Sequence, residues 1–401
     1  MNKNSNLLRI MMFLEYFIWA AWYVSMGTYM GKQLQSSDIQ VGAAYGAMAI
    51  ATMISPFFMG AIADRFFAAQ KLMGVLHLLG AAALFFTTSI SDNTTFYWII
   101  LIYSLLYTPT IALSNSIAFS NISDPGKQFP TIRVFGTAGW IVAGLSVGYL
   151  AWETTANIFN LAAGASAILG LFCFVLPNTP PKGKTADSSL GKSLGVEAFS
   201  LFRDRSYLVF FIAAILVCIP LSFYYSFANP FLNEVGMEAP AGKMILGQIS
   251  EGVFILAIPF LFNRIGVKNI ILIGMTAWVL RYVCFAYGDA GSGLWMLYAG
   301  IILHGVCYDF FFVTGYMYTE KKATANIKSA AQGLFTFATY GLGMVIGTYV
   351  SGIVAEHYKT GPNAHDWFSV WIVPASIAAA VFVYFLLLFK EKKEVASAPS
   401  N

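Results

Sequence analysis

The chain has 401 residues, 58% of them hydrophobic and only 10% charged, with a mean hydropathy of +0.68. Soluble domains carry about 25% charged residues, so this balance excludes a water-soluble globular protein and points to a polytopic membrane protein. The net charge of +4 does not mark nucleic acid as a partner, because the basic residues are sorted by loop rather than clustered on a surface.

Twelve apolar segments follow one another, near residues 6–31, 40–62, 71–91, 95–121, 129–151, 155–177, 206–233, 242–262, 268–288, 294–318, 327–355 and 367–389. Most exceed the roughly 20 residues a spanning helix needs. They lack the strict two-residue alternation of barrel strands, so the spans are expected to be helices. The first segment is too long for a signal peptide and has no small-residue cleavage site, which predicts a retained first helix. With the N-terminus inside, all but four of the 23 lysines and arginines fall on cytoplasmic segments and helix ends. Lys32, Lys243 and Lys359 lie on the opposite side, and Arg281 lies within a span. This positive-inside bias puts both termini in the cytoplasm.

Five ionisable residues stand in or at the end of apolar runs: Glu15, Arg133, Glu251, Arg281 and Asp309. A charge at the bilayer centre costs roughly 2.5–3.5 kcal/mol on insertion scales, so such residues usually face a polar interior and carry function. In the first span Glu15, Trp19 and Trp22 share a helix face. Glu15 reads either as a second acid or as a specificity residue. The second span ends on Gly60, Ala61, Ile62, Ala63, Asp64 and Arg65. In the fifth, Arg133, Thr137 and Trp140 at i, i+4 and i+7 offer a guanidinium, a hydroxyl and an aromatic plate on one face. Arg133 also lies only about a turn into the helix, where a snorkelling end residue is the other reading.

The stretch 178–205 is the one conspicuous non-apolar segment and divides the spans six and six. The expected organisation is a first bundle over 1–177, a cytoplasmic linker over 178–205, a second bundle over 206–390 and a tail over 391–401. Val196 to Phe202 is expected to form a short amphipathic helix. Gly183, Lys184 and Thr185 resemble the end of a phosphate-binding loop, but Asn178 stands where that motif needs glycine, which excludes nucleotide binding there.

In the seventh span Ser222, Tyr225 and Asn229 share a face, and Pro220 and Pro230 are expected to break the helix locally and free carbonyls for a cavity. The eighth pairs Gln248 with Glu251 at i and i+3, a carboxylate and an amide fit to bind a polyhydroxylated or heterocyclic ligand. Arg281 in the ninth reads as a structural counter-ion outside the site. The tenth carries His304, Tyr308 and Asp309. A carboxyl among aromatics is poorly solvated when charged, which suits a group that takes up a proton. His304 reads as a satisfied interior residue or as a titrating one. Cys173, Cys218, Cys284 and Cys307 show no paired spacing, and the four histidines are scattered, so neither disulfides nor a metal site are expected.

The 60–65 motif and the six-plus-six arrangement resemble the major facilitator superfamily. More specific are three stretches: 129–140 with Arg133, Gly136, Thr137, Gly139 and Trp140; 247–260 with Gly247, Gln248, Glu251 and Pro259; and 305–311 with Gly305, Tyr308 and Asp309. Ala330 to Gly333 and the Leu176-Pro177 end of the sixth span add to them. Together these resemble the bacterial nucleoside:proton symporters over nearly the whole chain, and the text around 12–19 and 304–309 resembles a less characterised branch of them. The resemblance implies an all-α major facilitator fold of twelve helices in two pseudo-symmetric bundles, in the bacterial inner membrane. It implies a monomer that moves a nucleoside with a proton, driven by the proton gradient without a cofactor. Arg133, Thr137, Gln248 and Glu251 would contact ribose or base, Trp140 and Tyr308 would stack on the base, and Asp309 would couple the proton, with Glu251 and Glu15 as further acids. Ser222, Tyr225 and His304 occupy substrate-site positions where characterised uridine transporters have Gln, Asn and Tyr. Two other functions stay open: a proton symporter for another polyhydroxylated solute such as a sugar or glycoside, and, more remotely, a membrane-embedded enzyme.

Overall fold

The computed structural model describes residues 3–65, 67–181, 196–324, 326–362 and 364–390. Residues 182–195 of the expected linker and all of the 391–401 tail lie outside the described residues, as do the side chains of 56–66, which hold the Asp64–Arg65 motif. Ten helices among the described residues are long and apolar enough to cross a membrane. The second and eighth apolar segments are helical too, as Asp38–Arg65 and Pro240–Phe254. The first span is Lys3–Tyr23 continued by Met26–Gln33. The third to sixth are Ala69–Thr87, Asn93–Ser120, Pro125–Tyr149 and Asn157–Phe172. Val196–Arg203 forms a 3-10 helix with Ala198 buried.

The seventh span, Arg205–Glu234, runs unbroken through Pro220 and Pro230, contrary to expectation. Neighbouring helices make this possible. Tyr282 of the ninth span braces the helix at this point by donating its hydroxyl to the carbonyl of Pro220, one turn beyond the Leu216 carbonyl that the proline deprives of its helical donor. The carbonyl of Ser226 lies against Gly27 of the first span, where a Cβ would stand 2.7 Å from it. The break falls in the eighth span instead, at the turn over 255–257 ahead of Pro259. Ile258–Tyr287 then kinks at Gly266, whose φ of 80° separates the end of the eighth span from the ninth. The tenth span, Leu294–Tyr308 and Thr314–Lys322, contains a π-helical segment at Asp309–Val313. The eleventh, Lys328–Thr336 and Met344–His357, contains another at Phe337–Gly343. A two-stranded ribbon, Lys359–Gly361 with Ala364–His365, precedes the twelfth span, Trp367–Leu388.

Helix packing repeats after six spans. The first packs on the fifth and sixth, the second on the fourth, and the third on the fourth and sixth. Adding six to each number gives the pairs that pack in the second half. The two largest contacts between halves are second on eleventh and fifth on eighth, and the same shift turns one into the other; the first also meets the seventh, a pair that the shift returns to itself. That is the signature of a two-fold pseudo-symmetry axis between the halves.

Both crossings rest on glycine near the face opposite the chain ends. A Cβ on Gly42 would stand 3.1 Å from Cα of Gly352, and one on Gly148 would stand 2.9 Å from Cα of Gly242. Backbones therefore touch there, which any larger residue prevents. Polar bonds add to the seal. Glu153, in the loop after the fifth span, accepts from Asn229 Nδ2 (2.8 Å), Asn233 Nδ2 (2.9 Å) and the amide of Ala241 (2.9 Å) in the other half. Thr28 donates to Asn229 Oδ1 at 2.6 Å. At the start of the second span, Asp38 receives His365 Nε2 at 3.0 Å and lies 3.5 Å from Lys359 Nζ, while its amide donates to Glu356 at 2.7 Å. His365 Nδ1 reaches Glu234 Oε2 at 2.8 Å. The face opposite the termini is thus the closed one.

Burial opposes a charge on His365, but the hydrogen bonds and charges of Asp38 and Glu234 outweigh it and hold the imidazole pKa up to about 9. Two carboxylates need two N–H donors, which only the imidazolium supplies. A raised pKa means that the clasp is complete below the ordinary histidine value of about 6.5 and is lost as pH climbs through about 9. Spin labels placed at Gln33 and Glu238, on opposite halves of this face, are expected to move apart on raising the pH from neutrality past that value. In His365→Gln the label distance should no longer respond to pH, and a pH-independent distance in the unaltered clasp would disprove its role.

Candidate functional site

Midway along the helices, side chains from both halves converge on the pseudo-symmetry axis. The wall from the first half is built by the fifth span leaning on the first. Gly139 permits this, because a Cβ there would sit 3.1 Å from the amide of Phe17. Gly136 leaves room for Arg133, whose guanidinium carbon lies 3.9 Å over the ring of Tyr16. One helix turn on, Trp140 meets Trp19 edge-on at 5.3 Å between ring centres. Thr137 lies between Arg133 and Trp140 on that face and is partly exposed, as they are. Tyr23 continues the aromatic row and contacts Tyr225 of the seventh span at 5.7 Å, a ring contact across the halves.

The facing wall comes from the seventh, eighth, tenth and eleventh spans. Gly247 and Gly305 bring the eighth and tenth into backbone contact. A Cβ on Gly247 would lie 3.0 Å from the carbonyl of Ile301, and one on Gly305 would overlap the backbone of Ser250 and Glu251. This contact sets Glu251 Oε2 4.0 Å from His304 Nε2. Glu251 keeps 30% of its side-chain exposure, whereas His304 keeps 1%. Gln248, one turn before Glu251, is partly exposed. Tyr308 stacks obliquely on His304 at 5.5 Å, and its hydroxyl is hydrogen-bonded to that of Tyr340 in the eleventh span. The charge of Arg133 reaches Glu251 across the gap between halves.

Asp309 opens the π-helical segment of the tenth span and is fully buried. Neither carboxyl oxygen has a hydrogen-bond partner among the described residues, and Glu251 lies within electrostatic reach. π-helical turns recur at functional sites because they displace side chains from the regular helical lattice.

Contacts thus connect Trp140, through Trp19 and Tyr23, with Tyr225, His304, Tyr308 and Glu251. Arg133 and Asp309 lie within electrostatic reach of Glu251, and Thr137 and Gln248 are partly exposed on the same helices as Arg133 and Glu251. Ser222 stands apart. Its hydroxyl donates to the carbonyl of Cys218 at 2.8 Å and faces Met344, inside the contact of the seventh and eleventh spans. Glu15 is also separate. The face it was expected to share with Trp19 and Trp22 divides, because Trp22 turns into the first half against Tyr103 and Phe159. Glu15 turns with it and is saturated there: His77 Nε2 lies 2.9 Å from Oε2, and Thr110 donates to Oε1 at 2.7 Å. His77 is braced in turn by Ser166, whose hydroxyl lies 3.2 Å from Nδ1. Arg281, expected outside the site, sits instead against His304, with Nη1 2.9 Å from Nδ1.

Three of the four histidines read as scattered thus have carboxylates in space: Glu15 for His77, Glu251 for His304, and Asp38 with Glu234 for His365. The distances separating these partners along the chain left no local signal. Tyr16 and Tyr340 carried none either, being two aromatics among many. No group of three or more His, Cys, Asp or Glu fit to hold a metal occurs among the described residues. Gly305→Ala should force the eighth and tenth spans apart and destabilise the protein by about 1–3 kcal/mol. Gly252→Ala, whose Cβ would meet nothing within 4 Å, should leave the melting temperature unchanged. Equal melting temperatures for the two variants would remove the case for a glycine-set contact.

Residues 1–394 match the nucleoside H+ symporter family. The chain is 42% identical to YegT of Escherichia coli (strain K12) over 410 residues, covering 99% of this chain and 96% of that one. It is 36% identical to the xanthosine permease of the same organism over 398 residues, covering 96% and 95%. A crystal structure of the nucleoside transporter NupG superposes with a TM-score of 0.89 at 33% identity, over 98% of this chain and 100% of that one. The twelve-helix, two-half arrangement is the major facilitator fold. With the whole chain matched and the axial residues gathered as described, this protein is a member of the nucleoside H+ symporter family.

Proposed function

We propose that this protein imports nucleosides into a bacterial cell together with protons, by alternating access between its two halves in the inner membrane. The observation that carries the reading is the unpaired, fully buried carboxyl of Asp309 beside an aromatic and polar site built from both halves. A carboxylate with no partner in a low-dielectric interior costs several kcal/mol, so the group holds a proton in this arrangement. Releasing that proton requires water or a cation to reach it, and reaching it requires the halves to move. Proton transfer and reorientation are thereby linked.

A nucleoside offers a flat base and a hydroxyl-bearing sugar, and the site offers matching chemistry. Trp140 and Tyr308 provide ring faces for the base, with Tyr225 beside them. Arg133, Thr137, Gln248 and Glu251 provide donors and acceptors for sugar hydroxyls and base edges. Arg133 from one half and Glu251 from the other attract each other across the gap, so a ligand seated between them draws the halves together. Ser222 supports the helix contact beneath the site, and Glu15 holds the first span rather than carrying the proton. The positive-inside bias places the termini in the cytoplasm, which makes the closed face external. The carrier works as a monomer in lipid and needs no cofactor, the proton gradient being its energy source.

Counterflow of labelled uridine, adenosine and xanthosine in proteoliposomes tests the substrate, with sugars and glycosides as competitors. Nucleoside exchange that sugars fail to inhibit is the expected result, and its absence would overturn the assignment. Asp309→Asn should keep nucleoside exchange while losing accumulation driven by an imposed pH gradient. Undiminished accumulation in that variant would move the coupling role to another acid.

A further inference from the structure

Arg281 poses a physical problem that transport as described does not use. It lies in the ninth span, is fully buried, and has no carboxylate within ion-pair distance among the described residues. Its guanidinium is held by a ring face and a ring nitrogen. The guanidinium carbon stands 3.4 Å over Tyr224, with Trp278 and Phe285 each at 5.7 Å, and Nη1 meets His304 Nδ1 at 2.9 Å. Nε and Nη2 have no hydrogen-bond partner among the described residues. A buried cation with so little compensation is costly to keep without a use.

Arginine can only donate and is never deprotonated in proteins. The histidine nitrogen facing it must therefore be a bare acceptor, and the ring must carry its single proton on the other nitrogen. The same holds whichever way the ring is turned, because only one nitrogen can face the guanidinium. The other nitrogen, Nε2, is buried, has no hydrogen-bond partner, and lies 4.0 Å from Glu251 Oε2. Among the described residues, the ionisable groups that face His304 are Arg281 from the ninth span, Glu251 from the eighth, Tyr224 and Tyr225 from the seventh, and Tyr308 from its own helix.

We propose that Arg281 is a positioning residue for transport: it fixes His304 as the neutral tautomer protonated on the nitrogen that faces Glu251. The inference rests on the nucleoside–proton reading of the site and refines it in two ways. First, His304 keeps its N–H on the side of the Glu251 carboxylate, 4.0 Å away and within electrostatic though not hydrogen-bonding distance, while the exposed part of that carboxylate meets the solute. Second, a fixed cation at 2.9 Å bars the imidazole from taking a second proton. His304 is thereby removed from the coupling path, which is left to Glu251 and Asp309.

The chain contains four histidines, so protein labelled with nitrogen-15 histidine gives a spectrum simple enough to assign by difference with His304→Gln. In wild-type protein in lipid nanodiscs, His304 should show one bare and one protonated nitrogen, unchanged between about pH 5 and 8, the range in which an ordinary histidine titrates. Arg281→Gln keeps a donor for the ring and should retain the tautomer while allowing it to titrate. Arg281→Met removes the donor, so its ring signals should report a mixture of tautomers. Nucleoside KM should then rise about tenfold with kcat less affected, as expected when the N–H that faces the solute-binding carboxylate is no longer fixed in place. A doubly protonated His304 ring in the wild-type protein at about neutral pH, or wild-type-like tautomer signals in Arg281→Met, overturns the proposal. The spectra do not depend on transport, so failure of the proposal and failure of the nucleoside assignment would be told apart.

Discussion

A bilayer core contains no water to bond a stray polar group, so each charge between the helices must find its partner within the protein or be neutral. The charged residues sort themselves by that constraint. Glu15 is saturated by His77 and Thr110 and serves as a pin between helices. Arg281 cannot be neutral and is held by an imidazole and a tyrosine face. Arg133 rests on Tyr16 with its charge directed at Glu251 across the axis. Asp309 has no partner, and a proton is the remaining way to make it tolerable there. Of the carboxyl groups in the core, the proposed coupling acid is thus distinguished by isolation rather than by its contacts.

The same medium dictates how the halves meet. Lipid offers no hydrophobic drive to bring apolar helices together, so close packing has to supply the attraction. Glycines at the second–eleventh and fifth–eighth crossings provide it at one face, and those at the fifth–first and eighth–tenth contacts place the axial side chains. The glycine-rich fifth and eleventh spans are therefore working surfaces, one in each symmetric copy of the crossing.

Much of this was readable in the chain. Long apolar runs and the basic bias of alternate loops marked the spans, and helical spacing grouped Arg133 with Thr137 and Trp140, and Gln248 with Glu251. What escaped were pairings between residues far apart in sequence. Nothing local indicates that His77 meets Glu15 or that Arg281 turns inward to His304, because a helix face has no fixed address until its neighbours pack. Ser222 shows the converse: its spacing with Tyr225 was suggestive, but a serine hydroxyl can share the carbonyl four residues back in its own helix and face a neighbour. The prolines of the seventh span misled for a related reason, since packing by neighbouring helices can hold a proline-bearing helix continuous.

The two halves are alike in topology but differ in how their spans are tied together. In the first, Glu15, His77, Ser166, Thr110 and Tyr107 tie the first, third, fourth and sixth spans into one polar knot at mid-height. In the second, the tenth and eleventh spans each carry a π-helical turn, and these are joined through Tyr308 and Tyr340. Such a turn holds one residue more than the regular ladder accommodates, so a helix can bend there without losing its remaining hydrogen bonds. The two places where the tenth and eleventh spans depart from the regular ladder thus lie beside Asp309 and Tyr340, while the first half is cross-tied at the same depth.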